Sequence, residues 1–333
     1  MRATLLAGLV CLVGSAGWAQ APPETDCDRR AGLWMMPRLD GGAQVYDIPV
    51  SQAPAAIAAC EAAVAAYPET AYFAVLLARA LIVANPGDPR ALRLLRAASE
   101  SLPAVSAAQI GALYELGQGG LGVSDRSARS FYEQACQLWP DPSARPGCAA
   151  HALMVIEGRG GPADEAAGFA TLSELCRSGW PMACTDMAQQ QELRGSESET
   201  EIAATLGFAC EGGDLLGCSL LGFRYEIELG VPRDMARARS LYALACDGGE
   251  VHGCANLGEV YRAGLGVVQD IPEAARLFGL ACDGNDPFAC VTLGGMLADG
   301  RGVSVDIPRA IELLDRACWQ GDPEACDMAD GLR

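Results

Sequence analysis

The feature that most constrains this chain is a 36-residue period carried by its cysteines. Cys210, Cys246, Cys282 and Cys318 are each 36 apart, and so are Cys218, Cys254, Cys290 and Cys326. Within each copy the two cysteines stand as Cys-x7-Cys, a spacing that Cys176 and Cys184 repeat further upstream. Cys136 and Cys148 make a sixth pair around a longer, Pro-containing loop, and Cys27 and Cys60 remain for a seventh. A fixed period of this length marks a stacked repeat array, in which each unit buries its apolar face only against its neighbours. The length of 333 residues, which alone suggests about two average domains, is therefore read as one extended array.

Each unit reads as two helices. The period also carries Tyr225 and Tyr261 (Leu297 in the third copy), Gly230, Gly266 and Gly302, then Asp234, Asp270 and Asp306, then Ala238, Ala274 and Ala310. A first helix is predicted from about Gly253 to Arg262, with Leu257, Val260 and Tyr261 at helical spacing. Gly264 and Gly266 end it, because a left-handed backbone costs glycine nothing. Asp270 is placed to cap the second helix with its carboxylate, and Pro272 and Pro308 fall in a first turn, where a missing amide hydrogen does little harm. The second helix closes at Ala281 and Cys282, so each Cys-x7-Cys pair would staple the end of one helix to the start of the next. Closing a loop of about nine residues stabilises by roughly 2–3 kcal/mol in the chain-entropy account. Zinc is the rival reading, but zinc cysteines stand two to four residues apart, and His151 and His252 are the only histidines.

Composition removes further classes. All 24 basic residues are Arg; without lysine there is no phosphate-loop lysine, no Schiff base and no Ser-x-x-Lys acylase. Two isolated histidines cannot build a three-His zinc site or an H-E-x-x-H protease, so no metal, cofactor or catalytic residue is assigned. A formal charge of −18 repels phosphate backbones and argues against nucleic acid as a partner. At the amino terminus, Arg2, the apolar stretch Leu5 to Gly14 and the small residues around Ala19 have the order of a signal peptide over residues 1–19. That stretch is too short to span a bilayer, and no membrane span is predicted elsewhere. Its removal takes Cys11 and leaves an even number of cysteines, as a disulfide framework in a periplasmic or secreted protein requires.

The run Gly253-Cys254-Ala255-Asn256-Leu257-Gly258-x-x-Tyr261-x-x-Gly264-x-Gly266-Val267-x-x-Asp270-x-x-x-Ala274 resembles the Sel1-like repeat. The Cys-containing turn added to it is similar to that of the Helicobacter cysteine-rich protein family. The likeness covers about 104–330 and is tightest over 205–326. It loosens upstream, where the turn after Tyr114 lengthens, 148–176 lacks the tyrosine, and Gly195 to Glu199 replaces a turn with polar residues. The resemblance implies an all-α fold, a right-handed α-solenoid of disulfide-stapled helix-turn-helix repeats over 104–333. Residues 53–103 read as a tetratricopeptide-like cap with helices from Ala55 to Tyr67, Glu69 to Ala84 and Pro89 to Ser101. Residues 20–52, with Trp34, Met35 and Met36, read as an irregular leader pinned by Cys27 to Cys60.

The resemblance also implies an adaptor that holds another protein or a peptide on a concave face lined by the first helix of each pair. Asn256, with Arg224, Glu259 and Arg262 nearby, is the candidate ligand-binding set; Leu220, Thr292 and Met328 occupy the positions equivalent to Asn256. Because some cysteine-rich relatives carry a β-lactamase label, lactam binding or hydrolysis, or the binding of cell-wall fragments, is the alternative. Trp139, Trp180 and Trp319 are assigned to packing, and His151 and His252 to structural or solvated roles.

Peptide mass mapping of the oxidised chain tests this framework directly. Cys246 should be recovered joined to Cys254, and any other partner for it would break the repeat reading.

Overall fold

The computed structural model describes residues 24–31, 48, 52–195 and 198–333. The proposed signal peptide, most of the leader with Trp34, Met35 and Met36, and Ser196-Glu197 lie outside the described residues.

The described residues form seventeen α-helices and no strand. One short helix, α1 (Asp26–Ala31), falls inside the leader expected to be irregular, and it is followed by α2 (Ala53–Ala66), α3 (Ala71–Ala84) and α4 (Pro89–Ala98). Cys27 and Cys60 are bonded and fully buried between α1 and α2, so the anchor expected for the leader carries a helical turn with it. The array continues in pairs: α5 (Pro103–Leu116) with α6 (Asp125–Cys136), α7 (Arg145–Glu157) with α8 (Glu165–Arg177), and α9 (Pro181–Arg194) with α10 (Glu199–Glu211). Then come α11 (Leu215–Ile227) with α12 (Met235–Asp247), α13 (Val251–Ala263) with α14 (Ile271–Asp283), α15 (Pro287–Asp299) with α16 (Ile307–Trp319), and α17 (Pro323–Leu332). The chain is an α-solenoid of stapled helix pairs.

The capping chemistry follows the sequence closely. Asp234, Asp270 and Asp306 each accept a hydrogen bond at 3.0 Å from the backbone N–H three residues on, and so start α12, α14 and α16. The backbone N–H of the same aspartates donates to the carbonyl of Tyr225, Tyr261 and Leu297, each at 3.0 Å, which closes the loop between the paired helices. Where the polar segment replaces the usual turn, Ser198 and Glu201 cap α10 reciprocally, each accepting from the other's backbone. The helix order therefore survives the local departure.

All seven cysteine pairs are disulfides in the pairing expected from their spacing. In the Cys-x7-Cys bridges the Cα atoms stand 4.5–4.9 Å apart. That proximity requires small residues where the helices meet. A Cβ on Gly253 would stand 2.5 Å from the Cβ of Ala245, so α12 and α13 can approach this closely only because both positions are small. One turn further on, Gly222, Gly258 and Gly294 receive the side chains of Tyr242, Phe278 and Leu314, each of them fully buried. Period, bridge and packing are thus one arrangement.

Two of the three tryptophans assigned to packing are packed: Trp180 is buried, Trp139 packs against the same local core, and Arg145 stacks near both rings. Trp319 is not, because it ends α16 on the outside and is 83% exposed.

One position breaks the period at a measurable cost. α13 and α15 end on Gly264 and Gly300 with φ of 68° and 70°, whereas the equivalent end of α11 is Glu228 with φ of 61°. A side chain in the left-handed region costs about 1 kcal/mol, and Glu228 is exposed. Glu228→Gly should therefore raise the melting temperature of the oxidised chain, with a gain of up to about 1 kcal/mol; a loss of stability would show that the left-handed end is not strained.

Candidate functional site

The faces of the solenoid differ in how closely their helices approach. Along the array α5, α7, α9, α11 and α13 contact one another in succession, while no two even-numbered helices of this stretch approach to the same extent. The odd-numbered first helices therefore form the inner, concave side. A groove of about 870 Å³ runs along it, floored by α5, α7, α9 and α11 and bounded further on by the bridging turns before α13 and α15.

Its chemistry is uneven. Ala108, Ala112, Ala149, Ala150, Leu153, Met182, Leu215 and Leu216 supply a small and apolar surface, with Trp180 beside them and Ile48 of the leader also in the wall. Set into this surface are four carboxylates, Asp186, Asp214, Glu250 and Asp283, and no arginine lines the groove among the described residues.

Three of the four have partners. Asp214 accepts a hydrogen bond from the Thr185 hydroxyl. Burial raises its pKa, and the Thr185 hydroxyl, with the nearby backbone N–H groups of Leu216 and Gly217, offsets part of that rise. Glu250 caps α13 by accepting from the backbone N–H groups of His252 and Gly253 at 3.0 and 2.6 Å. Asp283 lies 3.6 Å from Arg316. Asp186 receives no hydrogen bond and no counter-charge among the described residues. Burial pushes its carboxyl up to about 7, and the charge of Asp214 adds to the shift. It is thus a half-buried acid whose ionised form no described residue stabilises.

The candidate residues read from the sequence do not converge on this place. Arg224 is 2% exposed, so its guanidinium is inside the array rather than on the groove surface. Its Nη1 donates to Glu199 at 2.6 Å and its Nη2 lies 3.1 Å from Glu192, which ties α11 to α9 and α10. Glu259 and Arg262 neutralise each other through two hydrogen bonds of 2.6 Å. Asn256 is half-buried on α13 with its amide 3.5 Å from the Ser219 hydroxyl on α11, in the row of inner helices but outside the groove lining. His252 is exposed, 3.6 Å from Asp286. His151 is half-buried; burial lowers its pKa, while Glu133 and Arg129 act on it in opposite directions.

Asp186 was missed for a traceable reason. It stands two residues after the second cysteine of its pair, the register that singles out Asn256 in the regular copies. Carrying that register upstream past Cys184 and Cys148 gives Asp186 and Ala150, both in the groove lining. The signal was present, but in copies whose loop motif is degenerate.

The Sel1 repeat family model matches residues 104–138, 216–250, 251–286 and 287–322, so these segments are similar to Sel1 repeats. No curated protein sequence matches the chain. Among solved structures, a Sel1 repeat protein from Oxalobacter formigenes is 23% identical with a TM-score of 0.57, covering 70% of this chain and 94% of its own. The immunity protein Pa5087 from Pseudomonas aeruginosa is 13% identical with a TM-score of 0.50, over 65% of this chain and 81% of its own. The protective antigen c5321 from uropathogenic Escherichia coli, which displays the same repeat fold, is 19% identical with a TM-score of 0.49, over 86% and 60%.

The raised carboxyl of Asp186 fixes the sign of a pH effect. An acid whose folded pKa lies above its unfolded value near 3.8 binds more protons when folded, so its stabilising share is full below that value. That share is lost as pH rises through about 7. The stability of Asp186→Asn relative to the parent should therefore increase between about pH 4 and about pH 8. Thermal melts across that range check this, and a difference that stays flat would mean Asp186 ionises normally.

Proposed function

We propose that this chain is an exported scaffold that holds an extended segment of another protein along its concave groove. Sel1-repeat solenoids are generally protein-interaction scaffolds, and seven disulfides belong to an oxidising, extracytoplasmic environment. No helix among the described residues is long and apolar enough to cross a membrane.

The observation that carries the reading is the groove itself. It is a long depression crossing four inner helices, with apolar side chains interrupted by polar groups at intervals, and it stays open to solvent. A surface of that shape accommodates an extended chain through many modest contacts, which is how stacked repeats use their inner face. It encloses no water-excluded chamber of the kind that concentrates electrostatic catalysis. Thr185 illustrates the point: its hydroxyl is buried and already spent on Asp214, where it holds α9 to α11.

Site-specific photo-crosslinking tests the proposal. A photoreactive residue at Leu216, in the groove, should capture a discrete protein from the exporting cell. The same residue at Val268, 90% exposed in a loop outside the groove, should not. Equal capture at both positions, or none at Leu216, would count against the groove.

A further inference from the structure

We infer that the segment held in the groove is a basic one, and that an arginine or lysine side chain of the partner seats on the Asp186 carboxylate. The inference rests on the groove being a peptide site and names the chemistry of what fills it.

Charge placement is the first argument. Several arginines elsewhere pair with carboxylates across helix and repeat boundaries: Arg159 with Glu115 and Asp125, Arg194 with Glu165, Arg224 with Glu199, and Arg333 with Asp315. In the groove, by contrast, four carboxylates stand with no arginine among the described residues that line it. A depression that concentrates one sign of charge between low-dielectric walls attracts the opposite sign.

The second argument is the state of Asp186. The other three carboxylates have roles in holding the array, as helix caps, a hydroxyl acceptor or an ion-pair partner. Asp186 has no such partner among the described residues, and its neighbour Asp214 repels it. An internal arginine could have neutralised it, as Glu199 neutralises Arg224 one helix pair along. Held half-buried and unmatched, it supplies what an incoming guanidinium or ammonium lacks in an apolar trough, a desolvated acceptor with both oxygens available. Leu153, Met182 and Leu216, also in the groove wall, suit the methylene stem of such a side chain. An acidic segment would instead add its charge to four like charges.

A selection followed by two substitutions tests this. A random phage-displayed library of about 12-residue peptides, long enough to span ~40 Å when extended, is panned on the oxidised full chain. Peptides rich in Arg or Lys should be enriched over the starting library. The tightest binder is then measured by fluorescence anisotropy beside its citrulline counterpart, which keeps the shape of arginine and removes its charge. Citrulline should weaken binding about tenfold. On Asp186→Asn the two peptides should bind alike, while Glu174→Gln, an exposed carboxylate on α8, should preserve the difference as a control for the overall negative charge.

The outcomes separate the two claims. Enrichment with no basic bias, or a citrulline effect that persists in Asp186→Asn, overturns the assignment to Asp186 and leaves the groove reading standing. Failure to enrich any peptide overturns both. Should Asp186→Asn not fold, the parent chain alone still decides, because equal binding of the arginine and citrulline peptides overturns the proposal without a variant.

Discussion

The bridging turn between one helix pair and the next is the constraint on which the rest of the solenoid depends. A helix pair of about 36 residues cannot bury its apolar face alone, so its stability lies in the contact with the next pair. In this chain that contact is made covalent at every junction from Cys136 onward. Bridges with Cα atoms under 5 Å apart draw the end of each second helix against the start of the following first helix. Gly253 against Ala245 is the packing consequence, and the fully buried Ala238, Ala274 and Ala310 belong to the same close-packed set of second helices. Such a core contains few aromatic residues and gains less from each buried side chain than a leucine-rich one. The staples offset this by reducing the freedom of the unfolded chain.

Close packing at the junctions also explains where polar groups go. Small residues at the contacts leave little room for buried charge, so arginines span repeats at the periphery. Arg224 is the exception that shows the rule: it is buried, and two carboxylates from two other helices are committed to it. Removing those carboxylates would strand the buried guanidinium of Arg224 at a cost of several kcal/mol, which is why buried ions are matched. Asp186 departs from that logic within the same stretch of structure, and the departure sets it apart from the carboxylates that cap helices.

Fold and site were legible in the sequence to different degrees. The period fixed the helix order, the disulfide pairing and the aspartate caps, because each is imposed by backbone geometry that recurs without regard to the neighbouring repeat. The helix inside the leader was not legible, since Asp26–Ala31 has no periodic partner and is defined by its bridge to Cys60. Side-chain exposure was the weak point. Arg224 sits on a first helix and reads as a groove residue, but it occupies the face turned toward Glu192 and Glu199. Trp319 reads as core by residue type, yet it lies one position past the last cysteine of α16, where the helix points outward.

The position of the groove within the array follows from how a repeat motif is defined. The family model matches up to residue 138 and resumes at 216; the middle of the groove floor, Pro146 to Asp214, lies between, while Ala108, Ala112 and Leu216 belong to matched repeats. A repeat motif records the residues that every copy needs in order to stack: the glycines of the loop, the capping aspartate, the small residues under the bridge. The helix pairs α7–α8 and α9–α10 keep their bridges, and Asp164 and Ser198 still cap α8 and α10, so stacking continues although the loop motif has drifted. Once covalent bridges secure the stack, the inner positions of these copies no longer have to serve it. Local departures from the rules that specify a fold concentrate where a chain does something other than fold. By that reasoning the least regular repeats are the ones to examine for recognition, and Asp186 lies among them.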